Sequence, residues 1–199
     1  KGGKLPYLDK ITFINIKEAS SRAAAVRTGA VDAAFFTTGD ATFILDLAKR
    51  KSVVTQYKAS KTQWGQWMPN VGKAGSPFKF LNCRLAAAHA IDWNAYNKVR
   101  LKGLGSFSGS VVGKTSIMFT TAGAPKFSVT KAKAYVKKCN ADLGTAAPFN
   151  LTLYADTSSQ SQKNVKFVSD MLAKVGIKMN APNIEESAVL VSKIYRGGG

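Results

Sequence analysis

Phe149-Asn150-Leu151-Thr152-Leu153-Tyr154, then Val165, Val168, Met171, Leu172 and Val175, then Gly176-Ile177-Lys178-Met179, form the stretch whose reading decides the fold. Apolar and polar residues alternate from Phe149 to Tyr154, the period of a strand. The following apolar positions recur at spacings of three and four. They therefore share one face of a helix, which stops at Gly176. Ile177 to Met179 reads as a further strand, and Glu185 to Tyr195 as a last helix. Strand, helix, strand, helix in succession implies an α/β lobe whose strands are joined through crossover helices.

Upstream, Ser128 is the N-cap of a helix whose apolar face is Ala132, Tyr135, Val136 and Cys139. A further helix opens at about Leu81, with Leu81, Leu85, Ala88 and Ile91 as its stripe, and Asp92 caps the next one through Tyr96 and Val99. Between Thr62 and Pro77 the texture changes: Trp64 and Trp67 are followed by Pro69, Gly72, Gly75 and Pro77, the strongest loop signal in the chain. Before it, Ile11 to Ile16 and Val31 to Phe36 read as strands, and Val53 to Tyr57 as another. Glu18 to Arg27 reads as an Ala-rich helix capped by Gly29, and Asp40 as the N-cap of a helix over Ala41 to Lys49 with Phe43, Ile44 and Leu47 on one face.

With 199 residues and 45% hydrophobic content the chain can bury a real core. No apolar run is long enough to span a membrane, and no signal-peptide pattern is visible at the first residues; in an exported protein the signal would be removed or lie upstream. Lys and Arg number 29 against 11 acids, a formal net charge of +18, which taken alone suggests an acidic partner such as nucleic acid or an anionic surface. The basic residues, Lys17, Lys61, Lys102, Lys138 and Lys193 among them, are spread from end to end of the chain, as on a solvated face. Their densest run, Lys131, Lys133, Lys137 and Lys138, lies on the polar side of a predicted helix.

Ser108 to Thr115 ends in Gly113-Lys114-Thr115, yet a phosphate-binding loop needs a glycine where Ser108 stands, and no apolar strand precedes it. His89, the single histidine, sits in an Ala-rich helix and reads as a packed, hydrogen-bonded core residue. The cysteines are too far apart in sequence for a ligand cluster, so no metal site or cofactor is expected. Nucleophilic catalysis needs an activated Ser or Cys oriented by a base, and no such pattern is present; no catalytic residue is assigned.

Three sets of landmarks run through the chain in order. The first is Tyr7-Leu8-Asp9-Lys10-Ile11, then Arg22, Ala25 to Gly29, Val31 and Asp32. The second is Asn70, Pro77-Phe78, Arg84, Ala88, Ala90 to Asp92, Tyr96 and Gly103. The third is Lys131 to Ala134, Leu151 to Tyr154 and Leu172 to Ile177. This order and spacing resembles the family 5 extracytoplasmic solute-binding proteins of ABC importers, the oligopeptide-, dipeptide- and nickel-binding class.

The resemblance implies a two-lobed, type II periplasmic-binding-protein-like α/β fold, only part of it present. Residues 1–61 would end the first lobe, 62–77 would form the hinge crossing, and 78–199 would be most of a second lobe truncated at its C-terminal end. It implies a small solute, most naturally a peptide, as ligand, an ABC permease and the rest of the same receptor chain as partners, and an extracytoplasmic location; no nucleic acid is expected. The rival reading, from charge alone, is a basic nucleic-acid- or anionic-surface-binding domain. Trp64, Trp67 and Asn70 are the candidate ligand residues, although both tryptophans can equally pack into the crossing, and strand alternation would let only one reach a ligand. Cys83 and Cys139 are either two small buried residues or, in an exported protein whose two helices lie close as the family implies, a disulfide. Where the family usually carries acids, Ala30, Phe80, Thr130 and Lys138 stand.

Overall fold

The structure is a computed structural model that describes residues 5, 7–53, 67–107, 109–110, 112–113 and 116–196. Its elements are α1 (Ala19–Thr28), α2 (Ala41–Ala48), α3 (Leu81–Ala90), α4 (Trp93–Arg100), α5 (Val129–Asp142), β1 (Asn150–Leu151), β2 (Tyr154–Asp156), α6 (Ser159–Ala173), β3 (Lys178–Met179), β4 (Asn183–Glu185) and α7 (Ser187–Arg196).

The main core joins α3, α4, α5, α6 and the short strands through Cys83, Ala86, Tyr96, Val136, Phe149, Val168, Leu172 and Ile177. Cys83 and Cys139 are disulfide-bonded at its centre, with their Cα atoms 4.7 Å apart. The bond fixes α3 against α5, whose buried side is Ala132, Val136 and Cys139. Ser128 caps α5 by accepting from Lys131 N, and Asp92 caps α4 by accepting from Ala95 N. Gly29 ends α1 at φ 73°, a left-handed conformation in which glycine carries no Cβ penalty.

Several expected elements differ. The stripe predicted on α3 is displaced: Leu81 is 58% exposed, and Cys83, Ala86, His89 and Ala90 are buried instead. Small side chains let α3 approach α5 closely; of the predicted stripe Ile91 is buried, Leu85 and Ala88 are half-buried and only Leu81 is turned outward. The single strand predicted over Phe149 to Tyr154 divides into β1, paired in parallel with β3, and β2, paired in parallel with β4. Each pair is a separate two-stranded sheet, and the peptide after Leu151 carries the chain from one to the other. β4 takes Glu185, placed at the head of the last helix, which starts at Ser187.

Ile11 to Ile16 and Val31 to Phe36 are not strands. Ile11, Phe13 and Ile14 are 62%, 91% and 63% exposed, and no neighbouring strand among the described residues offers them a hydrogen-bonding ladder. Strand formation requires that ladder, whatever the side-chain pattern. Of the strand predicted over Val53 to Tyr57, only Val53 lies within the described residues, and it has no regular structure.

Candidate functional site

The N-terminal unit, α1 and α2, meets β2, the start of α6 and the start of α7 across a cleft of about 330 Å³. One wall carries Lys17, Glu18, Arg22, Thr37 and Asp40; the other carries Asp156, Ser158, Gln160, Ser161, Asn164 and Ser187. Both are polar, and hydrogen bonds hold each in shape.

Arg22 organises the first wall. Its Nη1 donates to the carbonyls of Ile16 (2.9 Å) and Lys17 (2.7 Å), and its Nη2 to Asp40 Oδ2 (3.0 Å). The guanidinium lies over the Phe36 ring, 5.4 Å from its centroid. Asp40 Oδ2 also accepts from Thr37 N (3.0 Å) and Thr37 Oγ1 (3.2 Å). Asp40 occupies the N-cap position of α2 as expected, but its side chain caps nothing: the carboxylate, 5% exposed, is taken by Arg22 and Thr37. A buried carboxylate requires such a partner. Arg22 Nε is buried with no hydrogen-bond partner among the described residues.

The second wall is a turn leading into a helix. Asp156 Oδ1 accepts from Ser158 N (2.8 Å), and Ser158 Oγ caps α6 by accepting from Ser161 N (3.2 Å). Arg100 donates to Asn164 Oδ1 and to Gln160 Oε1, both at 2.9 Å, fixing two amides at the rim. The walls are joined by Lys17 Nζ, which donates to both oxygens of Glu186 (2.8 and 2.9 Å), and by Ser159 Oγ, which donates to Glu18 Oε2 (3.3 Å). The hydrogen bond and charge of Lys17 hold the Glu186 carboxyl below the usual range. This arrangement offers hydroxyl, amide and carboxylate groups on one side and a paired guanidinium on the other, suited to holding a small polar molecule by hydrogen bonds.

Of the residues singled out in the sequence, Trp64 lies outside the described residues. Trp67 is half-buried and packs against the main core. Asn70 is exposed, and its Oδ1 accepts from Gly72 N (3.1 Å) and Lys73 N (3.0 Å), shaping the turn that enters the second unit. Neither lines the cleft. His89 is buried, its Nδ1 2.6 Å from the Lys126 carbonyl and its ring stacked on Tyr135, the packed role expected of it. Ser108, Val111, Lys114 and Thr115 of the Gly-Lys-Thr segment lie outside the described residues. The cleft residues were missed because they come from three distant parts of the chain. The available signal was local: Asp156-Thr157-Ser158-Ser159 before an apolar-periodic helix marks a capping turn.

Comparison with known proteins agrees with this architecture. The glutathione-binding protein GsiB of Escherichia coli (strain 536) is 29% identical over 176 residues, 87% of this chain and 32% of GsiB. The periplasmic binding protein DppA from Helicobacter pylori, solved with the peptide STSA, superposes with a TM-score of 0.75 at 23% identity over 89% of this chain and 33% of DppA. Peptide-bound OppA of Listeria monocytogenes does so with a TM-score of 0.69 at 18% identity, covering 89% of this chain and 36% of OppA. The fold is thus the expected type II periplasmic-binding-protein architecture in part, and the chain spans about a third of the length of these proteins. The family profile of bacterial extracellular solute-binding proteins, family 5 (Middle), matches residues 1–198, and the chain belongs to that family.

Proposed function

We propose that this chain is part of the substrate-binding component of an ABC importer that captures short peptides outside the cytoplasm and passes them to a membrane permease. The observation that carries the reading is the polar cleft between the α1–α2 unit and the β2–α6–α7 wall, in a chain of the solute-binding family. The solved neighbours hold the peptide STSA and another peptide, and the curated relative is named for glutathione, itself a small peptide. Backbone amides and carbonyls of a peptide match the hydroxyl and amide groups of the second wall.

In this reading residues 1–61 end one lobe, 62–77 carry the hinge and 78–199 form most of the other, and ligand contacts made only in the closed state drive closure. The Lys17–Glu186 bridge joins the two walls directly. No catalytic step is assigned, since capture and release need none. Further peptide anchors, including the acid that pairs with the ligand's amino terminus, are supplied by the rest of the receptor chain.

Titration of short peptides, glutathione included, into the 199-residue chain and into the same chain joined to the remaining receptor sequence tests this by calorimetry. The longer protein should bind, and the 199 residues alone weakly or not at all. Submicromolar binding by the shorter form, abolished by Asp156→Ala or Ser158→Ala, would show that the cleft suffices without the rest of the receptor. Failure of the longer protein to bind any peptide, together with salt-sensitive DNA binding, would replace the reading by the basic-domain rival.

A further inference from the structure

Between Lys73 and Lys138 there are twelve Lys and Arg residues and one acid, Asp92; the other ten acids of the chain lie outside that stretch. The even spread of lysines along the sequence conceals this, because it is the acids that are unevenly placed. Asp92 is occupied in capping α4. The part of the main core formed by α3, α4 and most of α5 therefore carries nearly uncompensated positive charge.

Helix α5 concentrates that charge on one face. Ala132, Val136 and Cys139 are buried, and Lys131, Lys133, Lys137 and Lys138 are exposed. Helical spacing places Lys133 and Lys137 along one flank and Lys131 and Lys138 along the other. The crest between them is Thr130, Ala134 and Ala141, all exposed and small. Among the described residues none of the four lysines forms an ion pair, although Lys138 Nζ lies 5.2 Å from the Tyr135 ring. Asp142, the only acid on the helix, is at its end and accepts from Asn82 Nδ2. Phe127 and Val129, at the entrance to α5, are 48% and 40% exposed.

We propose that this face of α5 adsorbs the protein onto an anionic phospholipid surface, with the lysines over headgroup phosphates and Phe127 and Val129 entering the interface. A low crest between two lysine flanks lets the helix lie flat on a planar surface. The cations are lysines, point charges without the planar fork that favours discrete phosphate recognition, and lysine clusters bind anionic bilayers through summed charge. Nucleic acid fits less well: the aromatic ring within the helix, Tyr135, is already stacked on His89 and is not free to receive a base. α5 contributes nothing to the polar cleft, so adsorption leaves the solute site open.

Flotation of the chain with phosphatidylcholine vesicles, with and without about one-third phosphatidylglycerol, tests the proposal. The expected result is binding that requires the anionic lipid, weakens on raising salt from about 0.1 M to about 0.5 M, and falls at least tenfold in Lys133→Glu/Lys137→Glu. Phe127→Ser should lower the part that survives salt. Lys49→Glu/Lys51→Glu makes the same change in net charge at exposed positions away from α5 and should leave binding within twofold of the parent. Equal losses in both double variants, binding that ignores lipid charge, or tighter binding to duplex DNA than to anionic vesicles would each overturn the proposal. Circular dichroism of each variant checks that a loss of binding is not a loss of fold.

Discussion

The unit built on α3, α5 and α6 and the unit built on α1 and α2 achieve order by different means. The first buries a continuous cluster and closes it with a disulfide. The second buries little more than Ala19, Ala23, Ala41, Ile44 and Leu47, while Tyr7, Leu8, Phe13 and Phe35 are largely exposed. Its firmest element is polar, the Arg22–Asp40 pair. Apolar burial is non-directional and cumulative, so the first unit can stand on its own interior. A unit held by two ion pairs, one of them exposed, and a latch depends on geometry supplied by its surroundings.

The largest expected effect tests the first half of that contrast. Replacing Cys83 and Cys139 together by Ala releases a 56-residue sequence separation and should cost about 4 kcal/mol in the chain-entropy account. Urea unfolding measures it as a lower midpoint. Hydrogen exchange then asks where the loss falls: amides of α3, α5 and α6 should exchange faster while those of α1 and α2 are nearly unchanged. Equal acceleration in both units would mean that they unfold as one and that the contrast is wrong.

Asp40→Ala addresses the second half. It leaves the Arg22 guanidinium with a buried Nε and without its carboxylate, and a broken, mostly buried pair costs about 3 kcal/mol. The loss should appear as faster exchange in α1 and α2 with the main core intact. A change under about 1 kcal/mol, the range of exposed pairs, would show that solvent already screens this one.

The same contrast separates what could be read in the sequence from what could not. α4, α5 and α6 were legible because caps and apolar periodicity agree: Asp92 and Ser128 accept the bonds that their positions promise, and Val165, Val168 and Leu172 are buried. α3 was legible as a helix but not in orientation. Its packing depends on Cys83, Ala86 and Ala90, small residues that a search for large apolar side chains passes over. In the α1–α2 unit the alternation at Ile11 to Ile16 describes side chains suited to a strand without the hydrogen-bonded neighbour that would make it one. The cleft was hidden for a different reason. Lys17 and Glu186 are 169 positions apart, and no local pattern announces that they meet.

The smallest effect concerns that latch. Glu186 is exposed, and the bond and charge of Lys17 lower its carboxyl below the ordinary value of 4.5. With a folded-state value depressed, the unfolded chain binds this proton more readily. The contact therefore contributes fully above the unfolded-state value and is lost as pH falls through the lower, folded-state one. Carbon-13 NMR of the Glu186 carboxyl should place its midpoint below that of an unstructured glutamate, and Lys17→Met should move it back up. Salt should do part of the same work, since an exposed pair is screened. If the midpoint stays low in Lys17→Met, the remaining bond from Thr157 Oγ1 (3.3 Å) is what holds the carboxylate. The latch would then be internal to the second wall, and no charge would tie the α1–α2 unit to it at this point.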